Sequence, residues 1–245
     1  MVHDTTKFKF TDGISRDGLG VLKRATKKAR WKPTPDVYGF KGHFSLAIKK
    51  GESGFQPLGV LNLISINRVE RKHARGRKLS GGECARLPER DSERWLHGVE
   101  SSEGHLPVDA RPIHVMDREG DIYWLMAALH TRQSRFVIRA NHDRKLFSDS
   151  DEEGGSLRDA LDDKMRILLK RQVPINARAA SPFGRDNRKH PPREERVAHL
   201  EVRAFQVQLR PPAYASETQG LVTNVVWIKE HSPPDNQPPG VWIVY

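Results

Sequence analysis

The segment Ile113-His-Val-Met-Asp-Arg-Glu-Gly-Asp-Ile-Tyr-Trp124 constrains the fold more than any other. An apolar run stops at an acidic residue, and a helical pattern starts at once. Ile113, Val115 and Met116 read as a short buried strand. From Gly120 onward the spacing of Ile122, Leu125, Met126 and Leu129 predicts an amphipathic helix. Phe136-Val-Ile-Arg-Ala140 is a second apolar run of strand length. Strand, helix and strand within roughly thirty residues make a βαβ unit. Its strands are expected to lie parallel in an α/β sheet, because the helix carries the chain back to the starting edge. Asp117 then sits at the carboxyl end of a strand, where open α/β sheets place their ligands. It is a candidate catalytic carboxylate.

The balance of charge narrows the partners. The 245 residues carry a formal net charge of +11, with 36% hydrophobic and 30% charged side chains. Such a chain favours a polyanion, nucleic acid first, although an ordinary basic protein with solvated charge has the same balance. The Lys and Arg residues are scattered rather than gathered on one amphipathic helix, which argues against a membrane surface. No apolar run approaches the ~20 residues that cross a bilayer, and Met1-Val-His-Asp does not read as a signal peptide. One cysteine, Cys84 in the Gly-rich stretch Ser80–Ala85, excludes an internal disulfide and fits a reducing compartment such as the cytoplasm. It reads as an inert loop thiol. The eleven histidines are dispersed without zinc-ligand spacing, so most are expected at the surface.

The rest of the chain divides near Asn141. Before it, Met1–Phe10 reads as a strand, and 23–32 as a basic stretch. His43–Ile48 and Leu58–Ile66 read as a β-hairpin turned by Lys49-Lys-Gly-Glu-Ser-Gly54. Residues 67–92 read as a long exposed loop, and Ser92–Gly98 as a short helix. After it come an acidic stretch at 148–155, a short helix at Leu157–Leu161, and β-rich runs at 166–175, 197–209, 221–229 and 241–245. Proline pairs separate those runs, and the basic, apolar-poor segment 180–196 reads as a mobile loop. The layout predicts an α/β core over residues 1–141 and a β-rich appendage over 142–245.

Asp4, in His3-Asp-Thr-Thr-Lys-Phe-Lys-Phe10, is the second acidic landmark. Alone it is as well explained as a strand-entry turn residue. On a strand neighbouring that of Asp117 it would complete a pair of carboxylates able to hold a divalent cation. Magnesium takes a few carboxylates plus water and phosphate oxygens. Two such ions about 4 Å apart can activate an attacking oxygen and stabilise a leaving one in phosphodiester displacement.

Several blocks together carry a resemblance. They are His3-Asp-Thr-Thr6, Gly39-Phe-Lys-Gly-His-Phe-Ser-Leu-Ala47 with Pro57-Leu-Gly-Val60, Ser92-Glu-Arg-Trp95, Val115–Tyr123, Arg135-Phe-Val-Ile-Arg139 and Asp143-Arg-Lys145. In this order they resemble bacterial insertion-sequence transposases of the DDE class, in the group that includes the transposon-five transposase. The resemblance implies a ribonuclease-H-like mixed sheet, here incomplete, interrupted by a β-rich insertion. It implies that Asp4 and Asp117 are the first and second catalytic aspartates, holding Mg2+ or Mn2+. Arg139 resembles a residue gripping transposon-end phosphates, and Arg144 with Lys145 falls in the same DNA-binding neighbourhood. Trp242, in Val241-Trp-Ile243, falls where the family stacks an aromatic ring on a flipped base, worth roughly 1–3 kcal/mol. In an apolar strand it could equally be a core residue. Arg118 and Glu119 read equally well as helix caps or as direct participants, and Asp121 as an electrostatic or capping group.

The family's third ligand is a glutamate within a Tyr, Arg, Glu, Lys pattern on a later helix, and no such segment is found. Tyr245 is the last residue, and only three residues precede Asp4. The expectation is therefore a transposase fragment, cleaving DNA weakly or not at all by itself, lacking the family's dimerisation region and acting near the bacterial nucleoid. The alternatives are a non-catalytic DNA-binding remnant that competes for transposon ends, and an unrelated basic β-rich binding protein.

Overall fold

The computed structural model describes residues 1–10, 12, 14, 16–23, 36–52, 54–67, 91–147, 153–181, 192–215, 219–234 and 239–245. The readings made for 24–32, for most of 67–92 with Cys84, and for 182–191 lie outside the described residues. The chain is a mixed α/β protein dominated by strands in two sheets. It splits into a first unit, Met1–Asn141 with Pro211–Thr218, and a second, His142–Arg210 with Gln219–Tyr245.

The first unit holds strands β1 (Val2–Phe10), β2 (Gly20–Lys23), β3 (Val37–Gly51), β4 (Gly54–Ile66), β5 (Ile113–Met116) and β6 (Arg135–Ile138). It also holds helices α1 (Arg94–Glu103) and α2 (Tyr123–Thr131). The sheet runs β2-β3-β1-β5-β6, with β4 also paired to β3. The β1–β3 and β3–β4 pairs are antiparallel, whereas β1–β5 and β5–β6 are parallel. The βαβ unit thus has the predicted parallel strands. Its helix starts three residues later than the periodicity suggested: Asp117 caps a 3-10 turn at Arg118–Gly120, and the α-helix begins at Tyr123. Leu125, Met126 and Leu129 are fully buried as expected, joined by Tyr123. The hairpin is longer than its sequence run, because Gly54 at φ +126° lets β4 begin right after the turn.

Helix α1 lies on one face of this sheet and buries Trp95, Gly98, Val99 and Ser102, one stripe at helical spacing. Gly98 lets it come close: a Cβ there would stand 3.0 Å from His43 Nε2 and 3.2 Å from Ser45 Oγ. Gly39 has the same function between strands. A Cβ on it would fall 1.9 Å from the Phe8 carbonyl oxygen and 2.7 Å from Leu22. Gly39→Ala is therefore expected to cost about 3 kcal/mol through forced separation of β1 and β3, read as a lower urea midpoint at unchanged slope.

The second unit is an antiparallel sheet of β7 (Lys145–Phe147), β8 (Glu153–Ser156), β9 (Leu169–Ile175), β10 (Arg196–Leu209), β11 (Leu221–His231) and β12 (Val241–Val244). Its order is β12-β11-β10-β7-β8, with β9 on β10. The β-rich reading holds here, with two corrections. Leu157–Leu161 forms hydrogen-bonded turns rather than a helix, and part of the acidic stretch becomes strand β8. Leu209, Leu221, Val225 and Trp227 line its core. The buried Glu230 accepts from Arg196 at 2.9 Å and from the Gly240 N–H at 3.0 Å, so its charge is paired where burial would otherwise penalise it. Arg178, just before segment 180–196, and Arg193, near its end, form an antiparallel bridge.

Candidate functional site

Asp4 and Asp117 come together through strand register. In the parallel β1–β5 pair, Val2 lies beside Val115 and His3 beside Met116. Asp4 is the next residue of β1, and Asp117 is the residue that follows the last of β5. Side chains alternate along a strand, so both carboxylates leave the sheet on the face opposite His3 and Met116. Adjoining strands are about 4.8 Å apart, so the two residues stand side by side at the same end of the β1–β5 pair. Both are exposed. Asp4 Oδ1 accepts from the Thr5 N–H at 2.7 Å, and Asp117 Oδ1 from the Glu119 N–H at 2.9 Å. Asp117 is thus the cap of its turn as well as the end of its strand.

The face on which they stand is apolar and open. Val60, Leu46, Val2, Val115 and Val137 form one register row across β4, β3, β1, β5 and β6. Val60, Val115 and Val137 in that row are exposed. The next row brings Leu63, Phe44 and Asp4 into line.

Behind the carboxylates, on the α1 face, the sheet carries hydrogen-bonded polar groups among its buried apolar side chains. Most of the described histidines lie at the surface as expected, but His3, His43 and His114 are buried. His114 Nε2 lies 3.1 Å from Glu103 Oε1, His3 Nε2 lies 2.8 Å from His114 Nδ1, and Ser45 Oγ lies 3.0 Å from His3 Nδ1 while its hydroxyl donates to the Gly98 carbonyl at 3.2 Å. Burial first, then the neighbouring His114 and His43, push His3 down to about 3. Burial and the Arg94 charge push His43 down to about 4, against the pull of Asp4. His114 is also lowered by burial, with Glu103 opposing.

Arg94 links this interior to the carboxylates. Its side chain is 8% exposed. Its Nε donates to Thr5 Oγ1 at 2.9 Å, and Thr5 Oγ1 meets His43 Nδ1 at 2.9 Å. One terminal nitrogen donates to Glu119 Oε2 at 2.8 Å, and the other to the Asp91 carbonyl. Arg94 therefore ties the residue after Asp4 to the turn capped by Asp117. The sequence reading missed it; the only signal was its place beside Trp95 in a short helix. Glu119 serves as the ion-pair partner of Arg94. Asp121 does not cap α2: its Oδ2 accepts from the Asn141 N–H at 2.6 Å and holds the end of β6.

Arg139 follows β6, donates its N–H to the Met116 carbonyl at 3.1 Å, and feels both Arg118 and Asp117; burial is the main cause of its lowered pKa. In the second unit, Arg144 is half-buried and accepts the Leu157 N–H at its carbonyl, while Lys145 is exposed in β7. Trp242 is half-buried beside Ile228, with its ring lying over Gly240. Among the described residues no group of three or more His, Cys, Asp or Glu side chains is disposed to hold a metal ion. No described helix is long and apolar enough to cross a membrane. Comparison with protein-family models finds no match, and comparison with curated proteins finds none.

Proposed function

We propose that the first unit is the catalytic core of a DDE-class DNA transposase, and that Asp4 and Asp117 bind a divalent cation used in DNA strand cleavage and transfer. The observation carrying this reading is the parallel register of β1 and β5, in which Asp4 and Asp117 directly follow the paired His3 and Met116. The sheet order supports it, since an antiparallel meander followed by two parallel strands is the ribonuclease-H-like pattern implied by the sequence resemblance. The donor chemistry fits as well: two hard carboxylates suit Mg2+ or Mn2+. When bound, the ion would activate the attacking oxygen and stabilise the leaving one. Arg94 would hold the strand ends that present the aspartates, and Arg139 would meet a DNA phosphate beside them.

Parallel strands are ordinarily buried on both faces. The open valine row is consistent with a further element that packs there and brings a third carboxylate. Without one, the two aspartates are expected to bind metal weakly and to cleave poorly. In the second unit, Arg144, Lys145 and Trp242 are proposed DNA contacts, as in a β-rich insertion, with transposon ends as partner and a homodimer as the working assembly.

The test uses supercoiled plasmid with Mn2+, and labelled duplex DNA at rising salt. Salt-steep binding is expected, because each neutralised phosphate releases counterions, together with slow Mn2+-dependent nicking. Binding without nicking would favour a non-catalytic DNA-binding remnant, the reading suggested by the lack of a third carboxylate among the described residues. Absence of DNA binding would overturn both.

A further inference from the structure

The outer part of the β3–β4 hairpin has a use that the aspartate site does not explain. Pairing of β1 with β3 ends at Val2–Leu46. Beyond it, Ala47–Gly51 and Gly54–Gly59 pair only with each other, as a ribbon two strands wide. The pairs run Ala47–Gly59, Ile48–Pro57, Lys49–Gln56, Lys50–Phe55 and Gly51–Gly54. Leu58 is the extra residue of a bulge, a device that turns a side chain outward and twists the strand.

The ribbon ends in an aromatic ring with cationic neighbours. Phe55 is 79% exposed and Leu58 63%. Lys49, Lys50 and Gln56 are exposed around them, with Glu52 the one acidic residue described at the tip. An unpartnered phenylalanine at the end of a two-stranded arm contributes nothing to the core. Beside lysines, in a chain of net charge +11, its natural counterpart is a flat, electron-rich ring attached to an anionic backbone.

We propose that this ribbon is a nucleic-acid contact: Lys49 and Lys50 meet backbone phosphates, and Phe55 stacks on a base that is unpaired or splayed from the duplex. A two-stranded ribbon fits the major groove, and base–aromatic stacking tolerates any sequence because every base has a π-face. The proposal rests on the DNA-processing reading above, to which it adds a second point of contact, remote in sequence from Trp242. It concerns recognition only, and no covalent step.

The test compares an intact duplex with the same duplex carrying a one-nucleotide gap opposite 2-aminopurine. Wild-type protein is expected to prefer the gapped DNA and to quench the 2-aminopurine fluorescence. Phe55→Ala should abolish the quench and weaken gapped binding about tenfold, leaving intact-duplex affinity nearly unchanged. Lys49→Gln with Lys50→Gln should weaken both and flatten the salt dependence. All these side chains are exposed, and an unchanged far-UV circular dichroism spectrum confirms folding. If wild type binds DNA and Phe55→Ala behaves identically, the ribbon proposal is overturned while the DNA reading stands. A shift in oligomeric state with Phe55→Ala at unaltered DNA affinity overturns it too, by showing a protein contact. Failure of wild type to bind either DNA overturns both.

Discussion

Acidification from pH 6.5 to about pH 4 is expected to unfold the first unit. His3 and His43 are held neutral, down to about 3 and about 4 respectively, against a usual value of 6.5. Above that usual value neither state takes up a proton, so their stabilising neutrality is fully present at pH 7. Below it the unfolded chain binds protons that the folded chain refuses, and stability falls by about 1.4 kcal/mol per pH unit for each group. By pH 4 the loss is on the order of 3 kcal/mol from each. A domain of ordinary stability, about 5–15 kcal/mol, would lose a large part of its margin. Near-ultraviolet dichroism would follow the transition, because Trp95 packs edge-on to His43 with ring centroids 4.7 Å apart. The window between pH 6.5 and 5 separates histidines from carboxylates, which protonate lower. Replacing His43 with Gln should remove about half of the fall in that window. Stability that stays level from pH 7 to 5 would contradict the neutral network.

Asp4→Asn and Asp117→Asn are each expected to lower Mn2+ affinity by at least about tenfold, at the lower end of what disturbing even the outer shell of a metal site costs. Both side chains are exposed and each accepts a bond from a nearby backbone N–H. The amide oxygen of Asn can keep that bond. Folding should therefore survive, and the loss should report on charge at the site. Asp117→Asn should also abolish any Mn2+-dependent nicking of plasmid DNA.

Much of the architecture was legible because periodicity records secondary structure. The βαβ unit shows itself in Ile113, Val115, Leu125, Met126 and Leu129, whose spacing changes from strand to helix. The place of Asp117 follows directly from it. What alternation does not record is which face of a strand is covered. In β1, Val2, Phe8 and Phe10 look like the inward set, with His3 and Thr5 facing water. The structure reverses this: His3 is buried under α1, while Phe8 and Phe10 are exposed. Polar side chains can occupy a buried face when each finds a partner, and those partners lie far away in sequence. Glu103 for His114, Ser45 for His3 and Arg94 for Thr5 become visible only once the sheet is assembled. The same holds for Asp4. Its residue type suggested chemistry, but its significance rests on the register between β1 and β5, which local sequence does not encode.

Sharing of one cation by Asp4 and Asp117 is tested most directly by a double-substitution cycle in Mn2+ binding. Free Mn2+ is counted by electron paramagnetic resonance while wild type, Asp4→Asn, Asp117→Asn and the double variant are titrated. Shared ligation predicts that each single change removes most of the affinity and that the second adds little. Independent, additive losses, or a wild type and double variant that bind alike, would contradict it.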